Sequence, residues 1–114
     1  MLLTIPDGIR YYITPGGYAP FAEWFEDRDL VARAKVTRAV ARLGQGNFSN
    51  VKSVGEGVLE LRIDFGPGYR VYFGRDGESL VILLTGGTKK RQRRDIDRAR
   101  VYWQDYKQGR RSLH

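Results

Sequence analysis

The sequence predicts a single α+β domain of 114 residues, in which a small antiparallel-rich sheet packs on helices in the order β-α-α-β-β-β-α. Two observations carry this prediction. Apolar and polar residues alternate, as in strands, over residues 9–14 and twice between residues 59 and 73. Apolar residues recur at helical spacing over residues 21–43 and 96–106. No internal repeat or linker interrupts the chain, so residues 1–114 are expected to form one unit.

The first half of the chain is predicted to hold one strand and two helices. Residues 1–8 are expected to form an irregular leader, and the strand over residues 9–14 ends at a Pro-Gly-Gly turn. Pro20 suits the first turn of a short helix, because its missing N–H has no partner there anyway. Asp29 is the predicted N-cap of a second helix that ends at Gly44. The predicted core residues of these helices are Phe21, Trp24, Phe25, Ala32, Val36, Val40 and Leu43.

Three basic residues of the second helix, Lys35, Arg38 and Arg42, lie off this apolar stripe. A solvated surface is the expected environment, and contact with RNA is the alternative. The next segment, residues 44–57, is a glycine-punctuated loop. It lacks the Gly-Lys-Ser/Thr ending of a phosphate-binding P-loop, which excludes ATP or GTP binding of that kind.

A hairpin is predicted over residues 59–73, with its turn at Gly66-Pro67-Gly68. Apolar residues alternate with charged ones in the first strand, and with Arg70 and Tyr72 in the second. Because side chains alternate across a sheet, Glu60, Arg62, Arg70 and Tyr72 are expected to share one exposed face. A carboxylate, two guanidiniums and a phenol on rigid elements suit work on a phosphate group.

The last third of the chain is predicted to hold one more strand and a helix. Asp76-Gly77 is a turn signal, and the unbroken apolar run over residues 80–84 favours a strand buried on both faces. Thr88 is placed to cap the final helix. The tail over residues 109–114 is expected to be mobile. The packing stripe of the helix is predicted to be Ile96, Ala99, Trp103 and Tyr106.

Charge and composition narrow the possible partners. Lys and Arg number 20 against 13 Asp and Glu, a net charge of +7 that attracts nucleic acid, an acidic protein or an anionic membrane surface. The absence of cysteine excludes disulfides, thiolate chemistry and cysteine metal sites. No apolar run has the length of a membrane span and no signal peptide is evident. We therefore expect a cytoplasmic protein with no membrane partner, no cofactor and no metal.

The run GNF-x-x-VK-x-VGEGV-x-ELRI-x-x-GPGYRVYF over residues 46–73, followed by Gly-Gly-x-Lys, resembles the RelE/ParE superfamily of toxins from type II toxin–antitoxin modules. It is most similar to the HigB-like branch, the addiction module killer proteins, and the similarity covers roughly residues 9–103. The resemblance implies a RelE-like fold and a toxin that cleaves mRNA on the ribosome without metal. It also implies a cognate antitoxin from a neighbouring gene, expected to be of the helix-turn-helix type. The toxin is expected to associate with operator DNA only through this antitoxin.

Metal-free RNA cleavage requires activation of a ribose 2′-hydroxyl, stabilisation of a charged phosphorane and protonation of the departing 5′-oxygen. The one histidine, His114, is the last residue and an improbable catalyst. Carried over from the family, Arg70 stands at the arginine of the Gly-Tyr-Arg strand, for phosphate binding and transition-state stabilisation. Arg62 and Glu60 lie near positions at which the strands of family members carry lysines. Arg62 keeps the positive charge of the lysine, whereas Glu60 replaces it with a negative charge. Glu60 is thus a candidate general base, with a structural ion pair as the alternative.

Further phosphate contacts are expected from flanking loops and from one tyrosine. Some family members place a tyrosine soon after the basic segment, whereas residues 92–96 here contain none. Tyr72 is a possible substitute, with packing as the alternative. The phosphate-binding candidates are Lys52, Lys89, Lys90, Arg91 and Tyr72.

Two other functions stay open at the level of sequence. A ParE-type toxin has the same fold and inhibits DNA gyrase without catalysis, and fold alone does not separate it from a ribonuclease. Arg62, Arg70 and the basic entry to the last helix favour the ribonuclease. A plain nucleic-acid-binding domain ranks third, because neither an RNA-recognition aromatic motif nor a helix-turn-helix pattern is evident.

Overall fold

The structure is a computed structural model that describes residues 8–112, with side chains through Gly109. Residues 1–7 of the predicted leader, and His114 with its neighbour, lie outside the described residues. The predicted α+β class is confirmed. In chain order the elements are β1 Ile9–Tyr11, α1 Pro20–Glu26, α2 Leu30–Gly44, β2 Val51–Ser53, β3 Leu59–Ile63, β4 Tyr69–Asp76, β5 Leu80–Thr88, a 3₁₀ turn Lys89–Arg91 and α3 Gln92–Ser112.

The five strands form one sheet in the order β1-β5-β4-β3-β2. β1 runs parallel to β5, and every other neighbouring pair is antiparallel. One face of the sheet packs against α1 and α2, and the other packs against α3. The chain therefore builds three layers, with the sheet buried between helices on both sides.

The helices follow the predicted patterns closely. The Asp29 carboxylate accepts a hydrogen bond of 2.8 Å from the Ala32 N–H and caps α2 as expected. Pro20 opens α1, and the predicted stripe of α2 is buried. In α3, Ala99 and Trp103 are buried and the rest of the predicted stripe packs against them.

The sequence predictions miss some strand and helix bounds. The loop before the hairpin contains β2, whose three residues are too few to show an alternating pattern. The strand predicted over residues 9–14 ends at Tyr11, and β5 continues past the predicted end at residue 84 to Thr88. The Thr88 side chain makes no capping hydrogen bond to the turn that follows it. α3 continues to Ser112, into the segment predicted as the tail.

Two glycines let the helices come close to the sheet. A Cβ on Gly74 of β4 would lie 2.5 Å from the Trp103 ring of α3, and a Cβ on Gly86 of β5 would collide with Trp24 of α1. Glycine in a strand commonly marks such an approach by a neighbouring group. These contacts fix the depth at which α1 and α3 lie against the sheet, and α3 in turn positions the site described next.

Candidate functional site

The four polar residues of the hairpin face the same side of the sheet, as predicted. In the register of β3 and β4, Glu60 lies opposite Tyr72 and Arg62 lies opposite Arg70. The prediction that this face is exposed is wrong for three of them, since Glu60, Arg70 and Tyr72 are only 0%, 2% and 0% exposed. The first turns of α3 cover that part of the sheet, and Arg62 alone of the four stays exposed.

Glu60 is held from three directions. Its Oε2 atom accepts a hydrogen bond of 2.7 Å from the side-chain amide of Gln92 in α3. Its Oε1 atom lies 3.9 Å from the Arg70 Nε atom and also 3.9 Å from the Lys52 Nζ atom. Both cations are therefore beyond hydrogen-bonding distance, and Oε1 accepts no hydrogen bond within the described part of the chain.

The two buried partners of Glu60 also have unused hydrogen-bonding capacity. The Arg70 Nη1 atom donates to the Tyr69 carbonyl at 3.0 Å, whereas its Nε atom has no acceptor within the described residues. The Tyr72 hydroxyl lies close enough to Glu60 for that carboxylate to raise the pKa of the phenol, but the two do not reach the geometry of a regular hydrogen bond. Most buried polar atoms in proteins are hydrogen-bonded, so three unpaired atoms in one place distinguish this site from an ordinary core. We call Glu60, Arg70, Tyr72, Gln92 and Asp95 the buried polar cluster.

Burial sets the protonation states of this cluster. The pKa of Tyr72 is raised well above its ordinary value of 10.0, first by burial and then by the negative charge of Glu60. Tyr72 is therefore a neutral phenol at physiological pH. Burial also raises the pKa of the Asp95 carboxyl, against the opposing effect of the arginines around it, of which Arg94 is the strongest. Burial thus outweighs nearby positive charge at Asp95.

A groove of about 440 Å³ opens beside the cluster. Its lining includes Arg62, Arg70 and Lys89 together with the turn between β3 and β4. Gly68 has a φ of +81°, and a Cβ at this position would lie 3.5 Å from Arg70 Nη1 and 3.3 Å from Lys89 Cβ. The two basic side chains therefore flank Gly68 closely, and the groove lining contains three cationic side chains and one carboxylate, that of Asp64.

The remaining predicted site residues are dispersed. Lys52 lies on β2 rather than in a loop, where it is paired in register with Glu60. Lys90 and Arg91 are exposed on the 3₁₀ turn and do not line the groove. Tyr72 is buried beneath α3, so the structure does not place it where an incoming phosphate arrives.

Gln92 and Asp95 are the two members of the cluster that sequence reasoning missed. Gln92 precedes Ile96 by four residues, and Asp95 precedes Ala99 by four. Extension of the predicted apolar stripe one turn towards the start of α3 reaches both. The apolar pattern does not predict this extension, because the first turn of the packing stripe in α3 is polar.

Among the described residues there is neither a membrane-spanning helix nor a cluster of metal ligands. Between residues 8 and 112, no helix combines the length and the apolar character that crossing a membrane requires. In the same part of the chain, no group of three or more His, Cys, Asp and Glu side chains is arranged to hold a metal ion.

The fold and the site define a small basic α+β domain with a carboxylate–guanidinium pair buried beside a cationic groove. Residues 23–104 match the family model described as Phage derived protein Gp49-like (DUF891). The chain therefore belongs to the Gp49-like family, a toxin-like family of addiction module killers related to RelE and HigB. An uncharacterized protein of Haemophilus influenzae is 45% identical over 86 residues, which cover 75% of this chain and 87% of that protein. No solved structure matches the chain significantly.

Proposed function

We propose that this protein is the toxin of a type II toxin–antitoxin module, of the HigB-like branch, and that it cleaves mRNA on the ribosome without metal. A cognate antitoxin from the neighbouring gene neutralises it. Membership of the Gp49-like family supports the toxin class. The observation that carries the catalytic part is the burial of Glu60 and Arg70 together, beside a groove that Arg62 and Lys89 also line.

In this proposal the cations of the groove bind the scissile phosphate and stabilise the phosphorane. Arg62 is exposed and receives the phosphate together with Lys89, which lines the same groove. Arg70 is held by its neighbours, and its planar fork is suited to the equatorial oxygens of the phosphorane. Because Arg70 is already fixed in place, it meets the developing charge with little reorganisation, which is the condition for strong electrostatic catalysis.

Glu60 acts as the general base for the ribose 2′-hydroxyl. Gln92 fixes one carboxylate oxygen, which leaves Oε1 without a hydrogen bond and able to accept a proton. Access to Oε1 requires the Lys52 side chain to move aside, since its ammonium lies 3.9 Å away and its side chain is largely exposed. The four-carbon stem of lysine is flexible enough for this movement.

The first experiment compares Arg62→Ala with Arg10→Ala in a purified translation system, in which new mRNA 5′ ends are mapped with time. Loss of one preorganised phosphate contact lowers the cleavage rate on the order of a hundredfold. An exposed arginine contributes only about 0.5 kcal/mol to stability, so Arg62→Ala should fold normally. Arg10 is exposed on β1, at the opposite edge of the sheet, and its replacement should leave cleavage unchanged. Equal rates for the two variants would remove Arg62 from the site.

Arg70→Ala is a poorer test than the sequence suggested, because Arg70 is buried rather than exposed. Its removal leaves the Glu60 carboxylate buried without its neighbouring cation, at a cost on the order of 3 kcal/mol. Glu60→Gln keeps an oxygen that accepts the hydrogen bond from Gln92. Removal of a general base lowers the rate on the order of a hundredfold or more. Full activity of folded Glu60→Gln would eliminate Glu60 as the base.

Inhibition of DNA gyrase without catalysis, as in ParE-type toxins, is the second candidate function, because the buried pair also fits a structural role. Glu60 and Arg70 are almost fully buried, which is also what a purely structural ion pair would show. Induction should arrest growth under either function. New 5′ ends within translated mRNA with normal supercoiling support the ribonuclease, whereas intact transcripts with inhibited supercoiling support the gyrase inhibitor.

A further inference from the structure

A second groove, of about 230 Å³, lies between α2 and the edge of β3. Its cationic lining comes from three residues of α2, Lys35, Arg38 and Arg42, and from Arg62 of β3. β2 pairs with β3 only as far as Leu61, so the rest of that edge is not covered by another strand. We call this feature the α2 groove.

The cations of the α2 groove outnumber the carboxylates of its described lining by four to one. Within residues 8–109, none of the four forms an ion pair, whereas Arg33 on the same helix pairs with Glu26 at 3.5 Å. The only acidic residue in the described lining is Asp64. Four like charges held around one groove repel one another unless an anion lies between them.

The α2 groove lies on the α2 face of the sheet and the groove beside the buried polar cluster lies by the α3 face, and the two share lining residues at the uncovered end of β3. Arg62, Asp64 and Phe65 line both. Arg62 therefore stands where the two meet, and the cations continue from it to α2. Lys35 to Arg42 spans about 10 Å along the helix. This length suffices to face at least two successive phosphates of a strand, which lie a few ångströms apart.

We propose that the α2 groove binds the sugar–phosphate backbone of single-stranded RNA that extends from the phosphate held at Arg62. This inference rests on the proposed function and adds the path of the substrate strand beyond the cleavage site. The lining favours RNA over an acidic peptide. It is mostly charged or polar, with Asn47, Ser49 and Asn50 as further hydrogen-bonding groups, and Phe65 is covered by the Lys35 ammonium at 5.1 Å. A peptide that folds on binding needs exposed apolar anchors, whereas three of the four apolar residues in this lining, Ala39, Leu61 and Ile63, are buried in the core.

The test measures binding rather than cleavage, so that it stays separate from the proposed catalysis. The probe is a short fluorescent single-stranded oligonucleotide with 2′-O-methyl riboses, which cannot be cleaved through a 2′-hydroxyl. The variant is Arg38→Gln with Arg42→Gln, two exposed residues that form no ion pair within the described residues. The control is Arg10→Gln with Arg98→Gln, which removes the same charge from β1 and from the opposite helix layer.

We expect the groove variant to lose at least about tenfold in affinity and to lower the slope of log K against log salt by about 1.4, the value for two contacts on a single strand. The control should lose less than about twofold, because long-range charge alone is screened at physiological salt. Equal losses in the two variants, no loss in either, or no binding by the unchanged chain would each overturn the proposal. Unchanged RNA binding with a weakened antitoxin complex would also overturn it, by assigning the groove to a protein partner.

The outcomes of this experiment and of the cleavage experiment are distinguishable. If RNA binding depends on the α2 groove but no mRNA is cleaved, the α2 groove stands as an RNA site and the ribonuclease proposal is refuted. If cleavage requires Glu60 and Arg62 but RNA binding does not depend on Arg38 and Arg42, the ribonuclease proposal stands and the proposal of an RNA site in the α2 groove is refuted. Thermal unfolding of each variant checks that the fold is intact.

Discussion

Residues of the same type have different roles in this protein, depending on whether their side chains are exposed or buried. Arg62 and Arg70 are register partners on the adjacent strands β3 and β4. The Arg62 side chain is exposed, whereas the Arg70 side chain is buried beside Glu60. Replacement of Arg62 should therefore have little effect on the stability of the fold, whereas Arg70 is part of the protein interior. The contrast also holds for aspartates of α3, where Asp95 is buried and Asp97 is exposed.

Asp95→Asn tests the electrostatics of the cluster through pH. Burial raises the pKa of Asp95 above the ordinary 3.8, so the folded state binds this proton more tightly than the unfolded state. Stability therefore falls as pH rises from 3.8 through the folded-state pKa, and the loss is complete above it. Asparagine removes this loss, so Asp95→Asn should raise the Tm at neutral pH, with the gain disappearing below pH 3.8.

Asp97→Asn is the matched control for this measurement. Asp97 is exposed and lies 3.9 Å from Arg100, a surface pair of little energetic weight. Its replacement should leave the Tm unchanged at neutral pH. A lower Tm for Asp95→Asn at neutral pH would show that the Asp95 charge stabilises the fold and would contradict the inference from burial.

At the scale of elements, close approach between helix and strand organises the molecule. β5 lies between β1 and β4 and contacts α1 on one face and α3 on the other. Its glycines allow this, since Trp24 of α1 packs on Gly86 and Asp95 of α3 packs on Gly87. The Gly-Gly pair, which lies beyond the predicted end of the strand at residue 84, is therefore a pair of contact points within β5.

Gly86→Ala should destabilise the protein by about 1–3 kcal/mol, because a methyl group collides with the indole ring of Trp24 in a packed interior. Gly16→Ala serves as control, since a Cβ at Gly16 meets only the Thr14 hydroxyl, at 3.7 Å. Urea unfolding of both variants measures the difference. Equal stabilities would mean that α1 does not need this close contact.

At the scale of the whole molecule, we expect the excess positive charge to favour acidic partners. The net charge of +7 favours an acidic antitoxin segment, and electrostatic complementarity speeds association and fixes orientation. Such a segment is expected to be partly disordered alone and to fold on contact. The groove at Arg62 and Lys89 also includes Arg70 of the buried polar cluster, so an acidic segment bound there would mask the proposed site.

Arg62→Glu should weaken the complex with the antitoxin by about tenfold or more, because it places like charges opposite each other. Arg10→Glu changes the net charge equally at the far edge of the sheet and should have little effect. Isothermal titration of each variant with the product of the neighbouring gene gives the comparison. Equal affinities would refute direct masking and leave steric exclusion from the ribosome as the means of neutralisation.

The sequence by itself determined the class of fold and the position of most elements, because these depend on local patterns. The cap at Asp29, the stripe of α2 and the hairpin turn each depend on residues within a few positions of one another. The alternation in β3 and β4 also correctly placed Glu60, Arg62, Arg70 and Tyr72 on one side of the sheet. The motif run over residues 46–73 indicated a toxin superfamily, and the match to the Gp49-like family agrees with the toxin class.

Only the tertiary structure decided which of those four side chains meet solvent. Periodicity shows which residues share a face, but it does not show what covers that face. Gln92 lies 32 positions after Glu60 and contacts it only because α3 folds back across the sheet. The burial of Arg70, the unpaired Oε1 of Glu60 and the meeting of two basic grooves at Arg62 all arise from contacts between distant parts of the chain. Such contacts depend on how the elements dock, which no local pattern in the sequence records.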